Sequence, residues 1–377
     1  MKKIGFDATS VTKDHDGGKN QVTLNLLRGF EKNGVADRFV IFCIPEMEEL
    51  ISKLTQNANV VPIPLKKIWK KTITECWGRT FILPGYLKEY KIGVLLFPVC
   101  NTGLRRCQIP AVVIPHDIQT QTNKERFSIK SKMVNAFYYH FDFKLRDRII
   151  AISNYDRQEI VKVYPAYQEK IVQIYNPIFT DFLFPAGLHQ ASKPYITAVN
   201  IQYRHKNIIT LIKAFDKIKD IIPHDLYLVG KTIAESAYLV SYVNDHGLNN
   251  RIVFKGFLDD VALTEVLKGS SLYVNPSLFE GFGMTAVEAM LACVPVLASK
   301  VSAIPEVTMG LCNYYEPPDD EEALARAMKK ILIEGAHPNA DQLEMISRTI
   351  NDRYNYVKIS RQYFDLLTSL LQGENER

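Results

Sequence analysis

Several things this chain lacks narrow its function. No apolar run among its 377 residues approaches the ~18 needed to cross a bilayer. The opening, Met1–Val11, has no long apolar core before its first acid, Asp7. It therefore reads as a first strand rather than a leader, and the expected location is cytoplasmic. The six cysteines, Cys43, Cys76, Cys100, Cys107, Cys293 and Cys312, show no paired zinc-ligand spacing and read as reduced, mostly buried thiols. Gly230-Lys231-Thr232 ends like a P-loop, but Asp225 stands where that motif needs glycine. The dinucleotide fingerprint G-x-G-x-x-G is absent after the first strand, which counts against a Rossmann dehydrogenase. A net charge of +5 suits an anionic substrate or lipid surface and is too small to argue for nucleic acid.

What is present is an alternation of short apolar runs and amphipathic stretches. Hydrophobic content of 47% and charged content of 23% are those of a globular chain, and its length implies two or three domains. Runs at 3–6, 39–44, 92–97, 111–114 and 148–152 read as buried parallel strands, with helices such as 22–30 between them. Periodicity fades from Ile178 to Pro194, where Pro177, Pro185, Gly187 and Pro194 mark a linker. It restarts with strands at 195–199, 226–229 and 252–254. The expectation is an α/β fold in two halves with a ligand-binding cleft between them. The tail, 351–371, reads as one helix whose stripe of Val357, Phe364, Leu367 and Leu371 must bury against something.

The stretch from Leu272 to Val307 is the most informative. It predicts a strand, a break at Asn275-Pro276-Ser277, a loop Glu280-Gly281-Phe282-Gly283, a helix from about Thr285 to Cys293, and a strand 294–298. Loops leaving the carboxyl ends of parallel strands collect ligands. Paired glycines admit a ligand close to backbone, and a helix start behind them suits phosphate. Glu280 and Glu288 flank this loop. Thr285-Ala286-Val287-Glu288 also fits a capping box, which would occupy Glu288 at the helix end. Glu280 has no such duty and could accept hydrogen bonds from sugar hydroxyls.

Other loops admit two readings each. Asp14-His15-Asp16-Gly17-Gly18-Lys19-Asn20 is a flexible connection or a substrate-facing loop. Lys66–Lys71, with Trp69 among its lysines, is an interfacial segment touching anionic lipid or a solvated helix face. His116-Asp117, directly after a buried strand, is a presented catalytic pair or a satisfied loop histidine. Tyr203-Arg204-His205-Lys206-Asn207 is a cationic turn for a diphosphate or a solvent-facing turn.

The Glu280-x7-Glu288 motif within PSLFEGFGMTAVEAM resembles the retaining GT-B glycosyltransferases of the family 4 type. The likeness runs along nearly the whole chain, through IGFDATSV with Gly17-Gly18, IPHDI, IIAISNYDRQEIVKVY, YITAVNIQYRHKNIITLIKAF and VFKGFLDD up to SAIPEV. It implies two Rossmann-like domains with parallel sheets facing each other across a cleft. One would be an acceptor-binding domain, 1–180 plus a returning helix 353–377. The other, 190–352, would bind the donor. The family's activity is transfer of a hexosyl unit, mannose, glucose or similar, from a nucleotide-diphosphate sugar with retention at the anomeric carbon. The acceptor would be a saccharide or lipid-linked, in cell-surface polysaccharide synthesis, at the inner face of the membrane if Lys66–Lys71 touches it. No cofactor or metal is implied, and no Asp-x-Asp motif lies near the site. Carried over by position, Lys206 with Arg204 would hold the diphosphate, and Glu280 the sugar hydroxyls. The Gly281-Phe282-Gly283-Met284-Thr285 backbone would approach sugar and phosphate, and Glu288 the ribose. Gly230, Phe257 and Leu258 would lie near the nucleoside. His116 would face the reacting sugar, with Gly17, Gly18 and Asp117 near phosphate or acceptor. The chain departs from the family in having Asn200-Ile201 where a Gly-Arg or Gly-Thr pair is frequent, Cys293 where glycine is common, and Met284-Thr285 for Leu-Pro. An epimerase of the same architecture and a non-catalytic partner subunit are the alternatives.

Overall fold

The computed structural model describes every residue except 1, 13–16, 66–69, 123–126, 182–192 and 374–377. Asp14, His15 and Asp16 of the glycine loop, Lys66–Trp69 of the lysine-rich segment and most of the expected linker therefore lie outside the described residues. The chain forms two compact units, Met1–Ile178 with Tyr354–Arg377, and Phe179–Arg353.

The first unit is built on strands β1 (Lys3–Asp7), β2 (Phe39–Cys43), β3 (Asn59–Pro62), β4 (Ile92–Phe97), β5 (Ala111–Val113), β6 (Arg148–Ala151) and β7 (Ile171–Gln173). They pair in the order β3-β2-β1-β4-β5-β6-β7, every pair parallel. β2 and β4 are buried along their whole length, because helices cover both faces of such a sheet, and this explains their unbroken apolar sequence.

The tail departs from the expected single helix. It is two helices, Ala340–Tyr354 and Tyr356–Gly373, in different units. Asn355 separates them, and its side chain accepts from Val357 N–H at 2.9 Å, starting a new helix. The second helix packs on Gly18–Lys32. A Cβ on Gly29 would fall 1.9 Å from Ser360 Oγ, so this glycine sets the close approach. Phe364, Leu367 and Leu371 are buried there, whereas Val357 is half-buried.

The second unit carries β8 (Tyr195–Val199), β9 (Asp225–Val229), β10 (Ile252–Gly256), β11 (Leu272–Asn275), β12 (Val296–Ser299) and β13 (Asn313–Tyr315). Their order is β10-β9-β8-β11-β12-β13, again all parallel. Each sheet reverses its winding once, between β1 and β4 in the first and between β8 and β11 in the second. At such a switch point the loops leaving adjacent strands part company and open a crevice, where ligands of open α/β sheets bind.

Candidate active site

In the second unit the loops leaving β8 and β11 meet at the switch point. The β8 loop closes in a 3-10 turn, Arg204–Lys206, ended by Asn207 at φ 55°. Asn207 is buried and stitches the turn in place. Its amide donates to the carbonyls of Pro276 (3.2 Å) and Pro318 (2.9 Å), while its oxygen accepts from Thr210 Oγ1 (2.8 Å). Leu278 N–H donates to the His205 carbonyl at 2.8 Å, tying the two loops by backbone. This brings Lys206 Nζ within 2.6 Å of Glu280 Oε1, with side-chain exposures of 16% and 9%.

Glu280 is held from below as well. Ser277 Oγ lies 2.7 Å from Glu280 Oε1 and 2.6 Å from Asn275 Oδ1, and Ser299 Oγ donates to the Ser277 carbonyl at 2.5 Å. Burial would raise the Glu280 carboxyl. The nearby cations Lys206 and His205, with the hydrogen bonds from Lys206 and Ser277, overcome that and hold it below its usual range. Both of these bonds fall on Oε1. Among the described residues Oε2 has no recorded partner. Lys206 has three N–H donors, of which one is engaged.

The helix behind the loop starts one residue earlier than expected. Gly283 is its N-cap, at φ 90° and with no side-chain cap, and the helix runs Met284–Leu291. This overturns the capping-box reading, since Thr285 is inside the helix and Glu288 lies beyond its third position. The cause is local. A Cβ on Gly283 would lie 2.5 Å from Ile304 Cδ1, and its left-handed backbone is one that glycine takes readily. Glu288 is thereby released from capping. Burial first, then the Asp260 charge, push its carboxyl up to about 7, partly offset by Lys206. The following strand is Val296–Ser299 rather than 294–298.

Other expected donor-side residues line adjacent strand ends. Gly230, at φ 139°, donates from its N–H to the Gly256 carbonyl at 2.8 Å. A Cβ there would reach 2.9 Å from Ile201 N, so Gly230 brings the end of β9 close to the β8 loop. Phe257 is exposed beneath Lys231, whose Nζ sits 5.1 Å from its ring centre, and Leu258 is half-buried. Arg204 stacks on Tyr238 at 5.3 Å. Gly281 and Phe282 are buried, and Met284 and Thr285 half-buried. Two departures from the family pattern fall at left-handed backbone. Asn200 and Cys293 have φ of 68° and 58°, the left-handed backbone that accounts for glycine at such positions.

The first unit gathers its own candidates. His116, at φ 68°, is buried after β5 and its Nε2 lies 2.7 Å from the Pro98 carbonyl. Since a carbonyl only accepts, Nε2 carries the proton and Nδ1 is the acceptor. Burial, and then the charge of Lys19, push this imidazole down to about 3, so it stays neutral. Asp117 accepts from both the backbone and side-chain amides of Gln119 (3.1 and 3.0 Å). Gly17 and Gly18 are exposed, with Gly17 as the extended N-cap of helix Gly18–Lys32. Lys19, adjacent to that pair, is what links this loop electrostatically to His116. Sequence reasoning passed over Lys19, and also Asn275, Ser277 and Ser299. Asn-Pro-Ser looked like a mere strand break, while its role depends on the neighbouring strand β12. Among the described residues no group of three or more His, Cys, Asp or Glu is arranged to hold a metal ion, and no helix is long and apolar enough to cross a membrane.

Comparison with known proteins agrees with this arrangement. Residues 16–182 match the family described as Glycosyltransferase Family 4, and residues 180–349 match Glycosyl transferases group 1. The chain is similar to the serotype-specific mannosyltransferase WbdA of Escherichia coli, 26% identical over 285 residues, covering 70% of this chain and 34% of that protein. It thus spans about a third of the length of these relatives. The O-antigen chain mannosyltransferase RfbU of Salmonella typhimurium is 29% identical over 224 residues, 57% of this chain and 59% of that one. Among solved structures, sucrose-phosphate synthase of Thermosynechococcus elongatus superposes with a TM-score of 0.79 at 18% identity, covering 99% of this chain and 100% of that one. HepE of Anabaena, in complex with UDP and glucose, gives 0.74 at 17% identity, covering 98% and 100%. The chain belongs to the GT-B glycosyltransferases of the family 4 type.

Proposed function

We propose that this protein transfers a hexosyl unit from a nucleotide-diphosphate sugar to a saccharide or lipid-linked acceptor, with retention at the anomeric carbon, in cell-surface polysaccharide synthesis. The observation that carries this reading is the Lys206–Glu280 pair at the switch point, 2.6 Å apart and with bonding capacity to spare. In this reading Lys206, aided by Arg204, neutralises the diphosphate as it leaves, and the backbone from Gly281 to Thr285 adds N–H donors at the helix start. Glu280 Oε2 accepts from a hydroxyl of the transferred sugar and fixes its orientation. Glu288, neutral or charged near pH 7, bonds the ribose hydroxyls. Gly230, Phe257 and Leu258 border the nucleoside. The loop bearing no second carboxylate beside Glu280 favours front-face substitution, in which the leaving phosphate helps deprotonate the acceptor. His116, Asp117, Gly17 and Gly18 are assigned to the acceptor or phosphate side, with His116 acting as a neutral group. The mannosyltransferase names of WbdA and RfbU make mannose the first sugar to try.

The experiment is product analysis with a panel of uridine- and guanosine-diphosphate hexoses, with and without saccharide or lipid-linked acceptors. The reading requires acceptor-dependent product with an unchanged anomeric configuration. Donor turnover without any acceptor would instead indicate an epimerase, and inverted product would overturn the retaining assignment.

A further inference from the structure

The loop leaving β8 makes a tight turn before it reaches its cationic residues. Asn200 opens the turn at φ 68°, and Tyr203 N–H donates back to the Asn200 carbonyl at 3.3 Å. The two central residues differ in burial. Ile201 is part of the core of the second unit, and Gln202 is half-buried. A Cβ on Gly230 would fall 2.5 Å from Gln202 Oε1, so the amide oxygen lies directly against that glycine at the end of β9. Oε1 is fully covered there and, among the described residues, accepts no hydrogen bond. A buried amide oxygen without a donor costs stability, and one held in that state calls for a reason. The backbone around it is fixed. Asn200 N–H donates to the Val229 carbonyl at 2.8 Å and Gly230 N–H to the Gly256 carbonyl at 2.8 Å, which joins the ends of β8, β9 and β10.

Gln202 connects two parts of the site. It precedes Arg204–Lys206 in the same loop, and it touches Gly230, which is followed by Lys231 over the Phe257 ring. Its side chain is uncharged beside Arg204, Lys206 and Lys231. It therefore suits the neutral part of a nucleotide rather than the diphosphate. With Oε1 covered, the polar capacity that Gln202 has left is the pair of N–H donors on Nε2. Donors require acceptors. The exocyclic oxygens of uracil and guanine accept hydrogen bonds, whereas the exocyclic amino groups of adenine and cytosine donate them. We infer that Gln202 selects the base of the donor nucleotide, and that it selects a keto base, uracil or guanine, over an amino base. This inference rests on the second unit being the nucleotide-sugar site proposed above. Gly230 contributes by admitting the amide oxygen, which fixes the end of the amide that remains to bind.

The test is calorimetric titration of the full chain with UDP, GDP, ADP and CDP, and with inorganic pyrophosphate as a probe that lacks a base. The wild type should bind UDP or GDP at least about tenfold more tightly than ADP and CDP. Gln202→Met keeps the length of the side chain and removes both donors. It should shrink that ratio to about threefold or less while leaving pyrophosphate binding unchanged. Gln202→Glu replaces the donors by acceptors and should shift the preference towards ADP and CDP. Retained pyrophosphate binding shows that a variant is folded, and if one variant loses it the other decides. A keto preference that persists unchanged in the folded variants overturns the proposal alone, as does a wild type that binds amino bases equally well. A wild type that binds no nucleotide at all overturns the donor-site reading along with it.

Discussion

Each unit holds a short ion pair near its switch point, and the two match in length. In the first, Arg79 Nε meets Asp7 Oδ2 at 2.6 Å, and in the second Lys206 meets Glu280 at 2.6 Å. In the first pair both carboxylate oxygens are engaged. Asp7 Oδ1 accepts from Thr9 N–H and Oγ1, while Arg79 also donates to the Asn101 carbonyl and to Thr9. Its side chains are 2% and 0% exposed. In the second pair, among the described residues, Glu280 Oε2 and two ammonium hydrogens of Lys206 have no partner. A short ion pair therefore says little about function by itself. A carboxylate oxygen left without a partner separates the pair able to receive a ligand from the pair that holds loops together.

Substitutions at the two pairs should break in different ways. Lys206→Ala or Glu280→Ala should lower turnover by several orders of ten, while Glu280→Gln, which keeps the shape, should cost about two to three. Steady-state rates check this, and a fully active Ala variant of either residue would sink the mechanism. Arg79→Leu should instead cost about 3–5 kcal/mol of stability, because it strands Asp7 as a buried, unpaired charge. Denaturant melts measure that loss, and the second unit should still respond to nucleotide. Gly283→Ala comes next, at about 1–3 kcal/mol, since both its backbone and Ile304 oppose a Cβ. A coupled fall in donor affinity, read by calorimetry, would sharpen the role of this loop.

The most gradual effect is in pH, where the units oppose each other. Native His116 stays neutral down to about 3 while the unfolded chain protonates near 6.5, so its contribution to stability is lost as pH falls below 6.5. Native Glu288 keeps its proton up to about 7 while the unfolded chain ionises near 4.5, so stability falls as pH rises across that window. Each slope is at most about 1.4 kcal/mol per pH unit. Melting curves of His116→Asn and Glu288→Gln should each lose one slope and keep the other.

The parallel strands were legible because buried α/β strands are continuously apolar, and β4 could hardly be read otherwise. Lys206 and Glu280 were legible because a motif marks them. The support under Glu280 was not, since Ser277 and Ser299 meet only when β11 and β12 pair. The helix start at Gly283 was misjudged because Thr285 and Glu288 satisfy the local rule for a cap, and it is Ile304, distant in sequence, that favours glycine as the N-cap. The division of the tail at Asn355 was hidden for a similar reason. Both halves are amphipathic, and only their partners differ.

The most direct test of the second unit as donor site is a melting-shift titration with uridine and guanosine diphosphates on wild type and Lys206→Ala. A ligand bound by the native state alone raises stability with the logarithm of its concentration over Kd. The account predicts a concentration-dependent rise for at least one of the two in the wild type, lost in Lys206→Ala. An equal rise in both proteins would contradict it.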